Sequence, residues 1–306
     1  MVVPGLTPSA PPPSDAAPPP GSENLDVGGW QVVVADGRAV LPEGMTHLPD
    51  RAFLGRASLV SVAFPRSLVS IGEGAFHGCS SLVSIDLPAT LTSIGNGAFY
   101  RCSALSSVTL PAGLTSIGNG AFYRCSALAS VTLPAGLTSI GSHAFFGCSA
   151  LATVTLPATL TSIGEQAFYR CLSLTSVTFP AGLTSIGSSA FSDCSALSSV
   201  TLPAGLTFID DYAFCDCSSL TRATVPDTAT LGYTAFDSET TVLRLPPAKM
   251  RWYEAVDGAL AYKRCRPLLY GWLERAQTRL GSYGPDGAAR QRDREEFEGD
   301  FAPLVE

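Results

Sequence analysis

Hydrophobic and polar positions recur along most of the chain with a period of 23 residues. Segments 91–113 (LTSIGNGAFYRCSALSSVTLPAG) and 114–136 (LTSIGNGAFYRCSALASVTLPAG) differ at one position, Ser106 in the first and Ala129 in the second. Eight copies cover residues 45–228 without a gap. Each copy contributes one phenylalanine at the same place, namely Phe53, Phe76, Phe99, Phe122, Phe145, Phe168, Phe191 and Phe214. Self-similarity at a fixed period of this length predicts a solenoid.

Each copy predicts three short elements. The stretch L-x-x-V-x-L-P alternates apolar and polar positions before its proline, which predicts a short strand that ends at Pro111 in the third copy. The stretch L-T-S-I-G predicts a tight bend at Gly118 with its leucine and isoleucine inward. The stretch A-F-Y-R-C predicts a short helical turn that buries Phe122 and Cys125. Because a lone coil has no neighbour to pack on, stability must come from stacking, with parallel strands about 4.8 Å apart.

Four regions follow along the chain. Residues 1–23 are rich in proline, alanine and serine, which predicts a disordered tail with polyproline character. Residues 24–44 predict an N-terminal cap with a hairpin at Asp36-Gly37. Residues 45–246 form the solenoid, which ends in a degenerate closing coil. Residues 247–306 predict a C-terminal helical cap and a charged tail.

The predicted C-terminal helix has leucine, tryptophan and alanine at helical spacing between positions 268 and 280. We expect this apolar stripe to cover the last coil, although docking of a partner is an alternative. An enzyme would need a polar pocket between that coil and the helix, around Trp252, Tyr262 and Trp272. No motif in this stretch favours such a pocket.

The repeat resembles the BspA-like class of leucine-rich repeats. The pattern L-x-x-V-x-L, with one phenylalanine, one proline and, in most copies, one cysteine per 23 residues, carries the resemblance over residues 45–228. The resemblance implies an α/β repeat: a right-handed solenoid with a parallel sheet on one face and short helical turns on the other. It also implies a role in binding other macromolecules. Bacterial relatives are often displayed on cell surfaces, so an adhesion-type role is the alternative if a signal is missing from this start.

Composition and charge disfavour nucleic-acid binding and a membrane-spanning role. Charged residues make up 15% of the chain and the net charge is −7. Residues 45–240 contain seven arginines and no lysine, which disfavours nucleic-acid binding. No apolar run is long enough for a membrane span, and the first residues lack the basic and apolar regions of a secretion signal. We therefore expect an intracellular, cytoplasmic location.

The cysteines predict a structural role. Free cysteine packs as a small apolar group, and a straight row of thiols offers no tetrahedral metal site. A buried, reduced row is therefore predicted for the seven that share one repeat position: Cys79, Cys102, Cys125, Cys148, Cys171, Cys194 and Cys217. Cys215 is extra, and a reactive thiol or metal ligand there is the less favoured alternative. We expect His47, His77 and His143 to be surface residues, and none of them lies in a nucleophile–base motif. No catalytic residue, metal or cofactor is predicted.

Two surfaces remain as candidates for a protein partner of unknown identity. The first, here called the outer strip, follows the buried phenylalanines and consists of Tyr100, Arg101, Tyr123, Arg124, Phe146, Tyr169 and Arg170. Tyrosine and arginine are enriched at interface hot spots, but a self-stacking ladder of rings is an equal alternative. The second, the strand face, carries Ser107, Thr109, Ser130, Thr132, Thr153, Thr155, Ser176, Thr178, Ser199 and Thr201. The sequence favours a non-catalytic protein-binding scaffold, with an ice-binding hydroxyl array on the strand face as a remote alternative.

Overall fold

The structure is a computed structural model that describes residues 22–251. The chain divides into two compact units, Met1–Pro246 and Pro247–Glu306. Of the second unit only residues 247–251 are described, and they are helical. Most of the predicted N-terminal tail, the helix at 268–280 and the charged tail lie outside the described residues. Within the described part of the chain, no helix is long and apolar enough to cross a membrane.

The first unit begins with an antiparallel sheet. Strands β1 (Ser22–Val27), β2 (Trp30–Ala35) and β3 (Arg38–Val40) pair in that order. Asp36 and Gly37 form the two-residue turn between β2 and β3, both with positive φ (50° and 72°), as hairpins of this length favour. Strand β3 then pairs in parallel with β5 (Ser61–Ala63), which belongs to the first repeat coil. The hairpin thereby extends the sheet of the first coil.

Each coil that follows has two short strands on two sides of the solenoid. The first kind comprises β5 (Ser61–Ala63), β7 (Ser84–Asp86), β9 (Ser107–Thr109), β11 (Ser130–Thr132), β13 (Thr153–Thr155), β15 (Ser176–Thr178), β17 (Ser199–Thr201), β19 (Arg222–Pro226) and β21 (Thr241–Leu245). Strands β7 to β17 of this kind contain one buried residue between two polar positions. The second kind comes from the L-T-S-I-G stretch, and comprises β4 (His47–Leu48), β6 (Ser70–Ile71), β8 (Ser93–Ile94), β10 (Ser116–Ile117), β12 (Ser139–Ile140), β14 (Ser162–Ile163), β16 (Ser185–Ile186), β18 (Phe208–Ile209) and β20 (Thr230–Leu231).

The second kind of strand forms one continuous parallel sheet of nine strands, from β4 to β20. The first kind forms a series that is interrupted twice, between β5 and β7 and between β15 and β17. Phe64 and Phe179 stand directly after β5 and β15, where most other coils have leucine, and each ring packs edge-on against a core phenylalanine. The solenoid is thus a right-handed repeat with parallel sheets, and L-T-S-I-G is a strand followed by a bend rather than a bend alone.

The helical turns predicted for A-F-Y-R-C do not form. Residues 22–246 contain turns and strands but no helical segment. The backbone N–H of Phe76 donates to Ala98 of the next coil (2.7 Å), and Phe99 repeats the bond to Ala121 (2.8 Å). Since these donors bond between coils, they cannot close helical bonds within their own segment. Each of the eight repeat coils also has one left-handed residue immediately before its A-F pair and another two residues after it, such as Gly97 and Arg101, which breaks a right-handed run.

The core consists of rows that run through successive coils. The eight repeat phenylalanines are fully buried, and their rings stack with centroid distances of 5.1 to 5.4 Å, so the predicted inner row is confirmed. Phe236 of the closing coil extends the row at 5.0 Å from Phe214. The seven repeat cysteines are buried and free, as predicted. Each coil therefore relies on its neighbours for its core.

Candidate functional site

The buried cysteines are structural donors rather than nucleophiles. Each thiol donates a hydrogen bond to the carbonyl oxygen of the preceding coil's phenylalanine, as from Cys79 to Phe53 (3.1 Å) and from Cys125 to Phe99 (3.2 Å). Burial raises the pKa of Cys79, Cys148 and Cys217 to about 12. Because the thiolate is the reactive form, these groups are inert at neutral pH.

The rings of the outer strip form a continuous stack. Tyr100, Tyr123, Phe146 and Tyr169 are half-buried, and successive ring centroids lie 4.4, 4.4 and 4.8 Å apart. His77 continues the stack at 4.5 Å from Tyr100. The histidine is therefore a ring of the stack rather than the freely solvated group that the sequence suggests. The geometry is that of the self-stacking ladder, which leaves one edge of each ring available to solvent.

The arginines of the outer strip occupy a strained backbone position. Arg101, Arg124 and Arg170 have φ values of 58°, 56° and 58°, in the left-handed region. The same repeat position is filled by glycine in the coils of Gly55, Gly78 and Gly147, and by aspartate at Asp193 and Asp216, all with positive φ. A left-handed residue with a Cβ costs about 1 to 2 kcal/mol. Glycine would satisfy the fold at this position without that cost.

The arginine side chains are exposed and differ in their partners. Arg101 and Arg124 each lie over the ring of the preceding tyrosine, with the guanidinium carbon 5.6 Å from the ring centroid. Arg170 forms an ion pair with Asp193 (3.0 Å). Within residues 22–251, neither Arg101 nor Arg124 has a carboxylate partner. Their charges are consequently available to a ligand.

A groove of about 690 Å³ lies along the arginine side of the outer strip and crosses five coils. Its arginines are Arg101, Arg124 and Arg170. Its serines follow the buried cysteine in four successive coils, and they are Ser80, Ser103, Ser126 and Ser149. Gly78, Phe146, Gly147 and Leu172 complete the lining. A concave surface of basic and hydroxyl groups suits an anionic or hydrogen-bonding ligand.

Sequence reasoning found the arginines but missed the serines. Because C-S recurs in nearly every coil, its serine resembles ordinary surface composition. In the structure the hydroxyls of Ser103, Ser126 and Ser149 donate to the carbonyl of the serine one coil earlier at 3.3 to 3.5 Å. The glycines that alternate with arginine at the left-handed position were the signal that could have revealed the strain.

The strand face is placed as the sequence predicts, with its hydroxyls in two files. In-register parallel pairing aligns Ser107, Ser130, Thr153 and Ser176 in one file, and Thr109, Thr132, Thr155 and Thr178 in the other. All of these side chains are exposed, as are Ser199 and Thr201 on the far side of the sheet interruption. From β9 to β17 the face presents small hydroxyls without an aromatic or arginine anchor, and the next strands continue it with Asp86 on one side and Arg222 on the other.

One further group of polar side chains converges near the C-terminal end of the solenoid. Cys215, Asp216 and Asp237 each bring one possible ligand atom to within 4.8 Å of the others. Desolvation, followed by the negative charges of Asp216 and Asp237, raises the pKa of Cys215 to about 11. The thiol is therefore protonated at neutral pH. Asp237 also serves the backbone, because its carboxylate accepts a hydrogen bond from the N–H of Asp216 (3.0 Å).

Comparison with known families explains the repeat. Residues 38–135 and 115–242 match the BspA type leucine rich repeat region in six copies, which together span two thirds of the chain. The chain belongs to the BspA-type leucine-rich-repeat family. Members of this family are repeat scaffolds that generally serve protein interaction or adhesion. A comparison with curated proteins finds no significant match.

Solved structures of bacterial leucine-rich-repeat proteins are similar to this chain. A leucine-rich repeat protein of T. pallidum is 34% identical, with 52% of this chain and 77% of that chain covered and a TM-score of 0.50. One from Bacteroides ovatus is 28% identical over 69% of this chain and 68% of that chain (TM-score 0.54). A leucine rich cell surface protein of Faecalibacterium prausnitzii is 26% identical over 76% and 78% (TM-score 0.51). These similarities agree with a repeat solenoid.

Proposed function

We propose that this BspA-type solenoid is a non-catalytic scaffold that binds a protein partner through the outer strip and the adjoining groove. The observation that carries the proposal is the placement of three exposed arginines beside a stack of half-buried rings, at a left-handed position where other coils have glycine or aspartate. Residues held in costly backbone conformations concentrate at functional sites. Here the strain also coincides with a stack of half-buried rings, and tyrosine and arginine are the common anchors of interfaces.

The mechanism is rigid display. Ring stacking and inter-coil hydrogen bonds fix the spacing of the rings at 4.4 to 4.8 Å before any partner arrives. A pre-organised surface loses little side-chain entropy on docking, so more of the contact energy becomes affinity. The strand face is the weaker candidate, since serine and threonine are poor hot-spot residues.

The strip can be tested by comparative affinity capture with the full chain. One variant carries Tyr100→Ala, Tyr123→Ala and Tyr169→Ala, which removes rings from the outer strip. A matched control carries Ser107→Ala, Ser130→Ala and Ser176→Ala on the strand face. We expect proteins retained by the parent and by the control to be lost from the strip variant, while circular dichroism spectra stay the same. Equal retention by all three would remove the strip as the site, and loss from the control alone would move the site to the strand face.

We also propose an intracellular location, and an adhesion role on the cell surface is the alternative. The Faecalibacterium prausnitzii relative is called a cell surface protein, which is the observation that favours the alternative. Protease treatment of intact cells distinguishes the two. Protection of the chain supports the intracellular proposal, and digestion supports surface display.

A further inference from the structure

The left-handed repeat position of Arg101, two residues after the buried phenylalanine, changes in charge along the solenoid from neutral to positive to negative. Successive coils place there Gly55, Gly78, Arg101, Arg124, Gly147, Arg170, Asp193 and Asp216. The chain as a whole is acidic, with a net charge of −7. Residues 91–182 nevertheless contain three arginines and one acidic residue, Glu165. The middle coils are therefore a positive region within a negative molecule, and the groove runs through that region.

The groove offers the donors that a carboxylate needs. A guanidinium matches a carboxylate with two parallel hydrogen bonds, and such bonds are stronger than those between neutral groups. The floor adds Ser103 and Ser126, whose hydroxyl protons make only weak bonds of 3.5 and 3.4 Å within the protein. A hydroxyl can rotate to donate to a ligand instead. Gly147 leaves the space above Arg124 open, since a Cβ there would lie 3.3 Å from the Cγ of that arginine.

The dimensions fit an extended chain segment. Five coils at about 4.8 Å spacing make a groove about 19 Å long, which an extended peptide spans with roughly six residues at about 3.3 Å each. Alternate residues of such a peptide face the same side. Two or three carboxylates would then face the arginines together.

We propose that the groove binds an extended acidic segment of a partner protein, an inference that rests on the proposed function and names the chemistry of the partner. The carboxylates of that segment pair with Arg101, Arg124 and Arg170 over the serine floor. Asp193 pairs with Arg170 at the C-terminal end of the groove, and Asp216 follows one coil later. Their negative charges repel further acidic residues, so the acidic stretch is short. A nucleic acid is disfavoured because its charge continues past the groove into the acidic part of the molecule.

The experiment uses the full chain and a labelled, capped octapeptide of alternating glutamate and alanine, with fluorescence anisotropy as the readout. The peptide of alternating glutamine and alanine is the neutral control. We expect the glutamate peptide to bind at low salt, the glutamine peptide not to bind, and the affinity to fall as salt is added. Absence of glutamate-peptide binding would overturn the inference, as would tighter binding of an RNA oligonucleotide of matched length.

Two matched double variants locate the binding. Arg101→Gln with Arg124→Gln should weaken the glutamate peptide by roughly tenfold or more, because both unpaired guanidinium groups are lost. Arg66→Gln with Arg222→Gln changes the net charge equally on exposed residues outside the groove, and we expect less than about a twofold loss from it. Equal weakening by the two double variants would overturn the inference, since it would show attraction by net charge alone.

A third variant tests whether the negative charge of Asp193 at the end of the groove opposes binding of the acidic peptide. Asp193→Asn releases Arg170 from its ion pair, so we expect the glutamate peptide to bind roughly two- to fivefold more tightly. Unchanged or weaker binding would place the peptide outside the groove. If the peptide fails to bind while the tyrosine variant of the strip still loses its captured proteins, the acidic class of partner is wrong and the scaffold proposal stands.

Discussion

The inner row of phenylalanines and the outer strip run through the same coils one residue apart, yet they differ in what each position tolerates. Every repeat coil has phenylalanine in the inner row, and each of these rings is fully buried and stacked on the ring of an adjacent coil. The stack of the outer strip contains histidine, tyrosine and phenylalanine in successive coils, at half-buried positions. A side chain enclosed on all sides must match its space, whereas a side chain with one edge in solvent can change. The outer strip is therefore where the solenoid can acquire specificity without losing its fold.

The largest predicted effect concerns the thiols that accompany the inner row. In the unfolded chain these thiols ionise near their ordinary pKa of 9.0, whereas burial raises the pKa of Cys79, Cys148 and Cys217 to about 12 in the fold. Above pH 9 the unfolded state thus binds fewer protons than the folded state, so stability is lost as pH rises toward 12. Each thiol lowers the free energy of unfolding by about 1.4 kcal/mol per pH unit in this window. Burial raises the pKa of all seven thiols, so their destabilising effects act in the same direction as pH rises.

Circular dichroism between about pH 8 and about pH 11 measures this effect, because that range brackets the pKa of an unfolded thiol. We expect unfolding shortly above about pH 9. A variant with Cys102→Ala and Cys125→Ala should be less sensitive to pH, because two of the ionising groups are gone. Ser103→Ala with Ser126→Ala is the matched control and should follow the parent. An alkaline transition that is identical in all three proteins would contradict the linkage to buried thiols.

The next effect compares two neighbouring rings of one coil. Phe122→Ala removes a fully buried ring from the inner row and should lower the free energy of unfolding by about 3 to 5 kcal/mol. Tyr123→Ala removes a half-buried ring whose stacked neighbours lie 4.4 Å away on both sides, and we expect a cost of about 1 kcal/mol. Urea unfolding of both variants measures the difference. Similar costs would mean that the outer strip is a structural ladder as important to the fold as the inner row.

The contrast between the two rows also marks what a single sequence reveals. The period of 23 residues was enough to predict the phenylalanine row, the reduced cysteines and the parallel strands. It did not reveal that the A-F segment bonds from coil to coil, because those partners lie 22 residues apart and leave no local pattern, as with Phe76 and Ala98. A two-residue strand such as Ser116–Ile117 is likewise too short for a period-two signal.

The candidate site could be predicted only in part, because some of its features also arise between coils. Tyr123 and Arg124 attract attention by residue type, and the structure places both beside the buried row. The backbone strain at Arg124 depends on a φ of 56°, which arginine itself does not indicate. The serine floor has no distinguishing composition. These features arise only when successive coils are stacked, so they could not be read from one repeat.

The central claim is that residues of the outer strip can bind a partner without being needed for the fold. The variant with the smallest expected change in stability tests this claim most directly. The variant Arg101→Gly with Arg124→Gly installs the residue that Gly78 and Gly147 already supply at this position. Relief of the left-handed strain offsets the entropy of glycine and the lost ring contacts, so the free energy of unfolding should stay within about 1 kcal/mol of the parent. Unfolding and binding of the glutamate peptide are measured on the same sample. We predict an unchanged or higher melting temperature together with loss of the peptide. Retained peptide binding, or loss of the fold, would contradict the account.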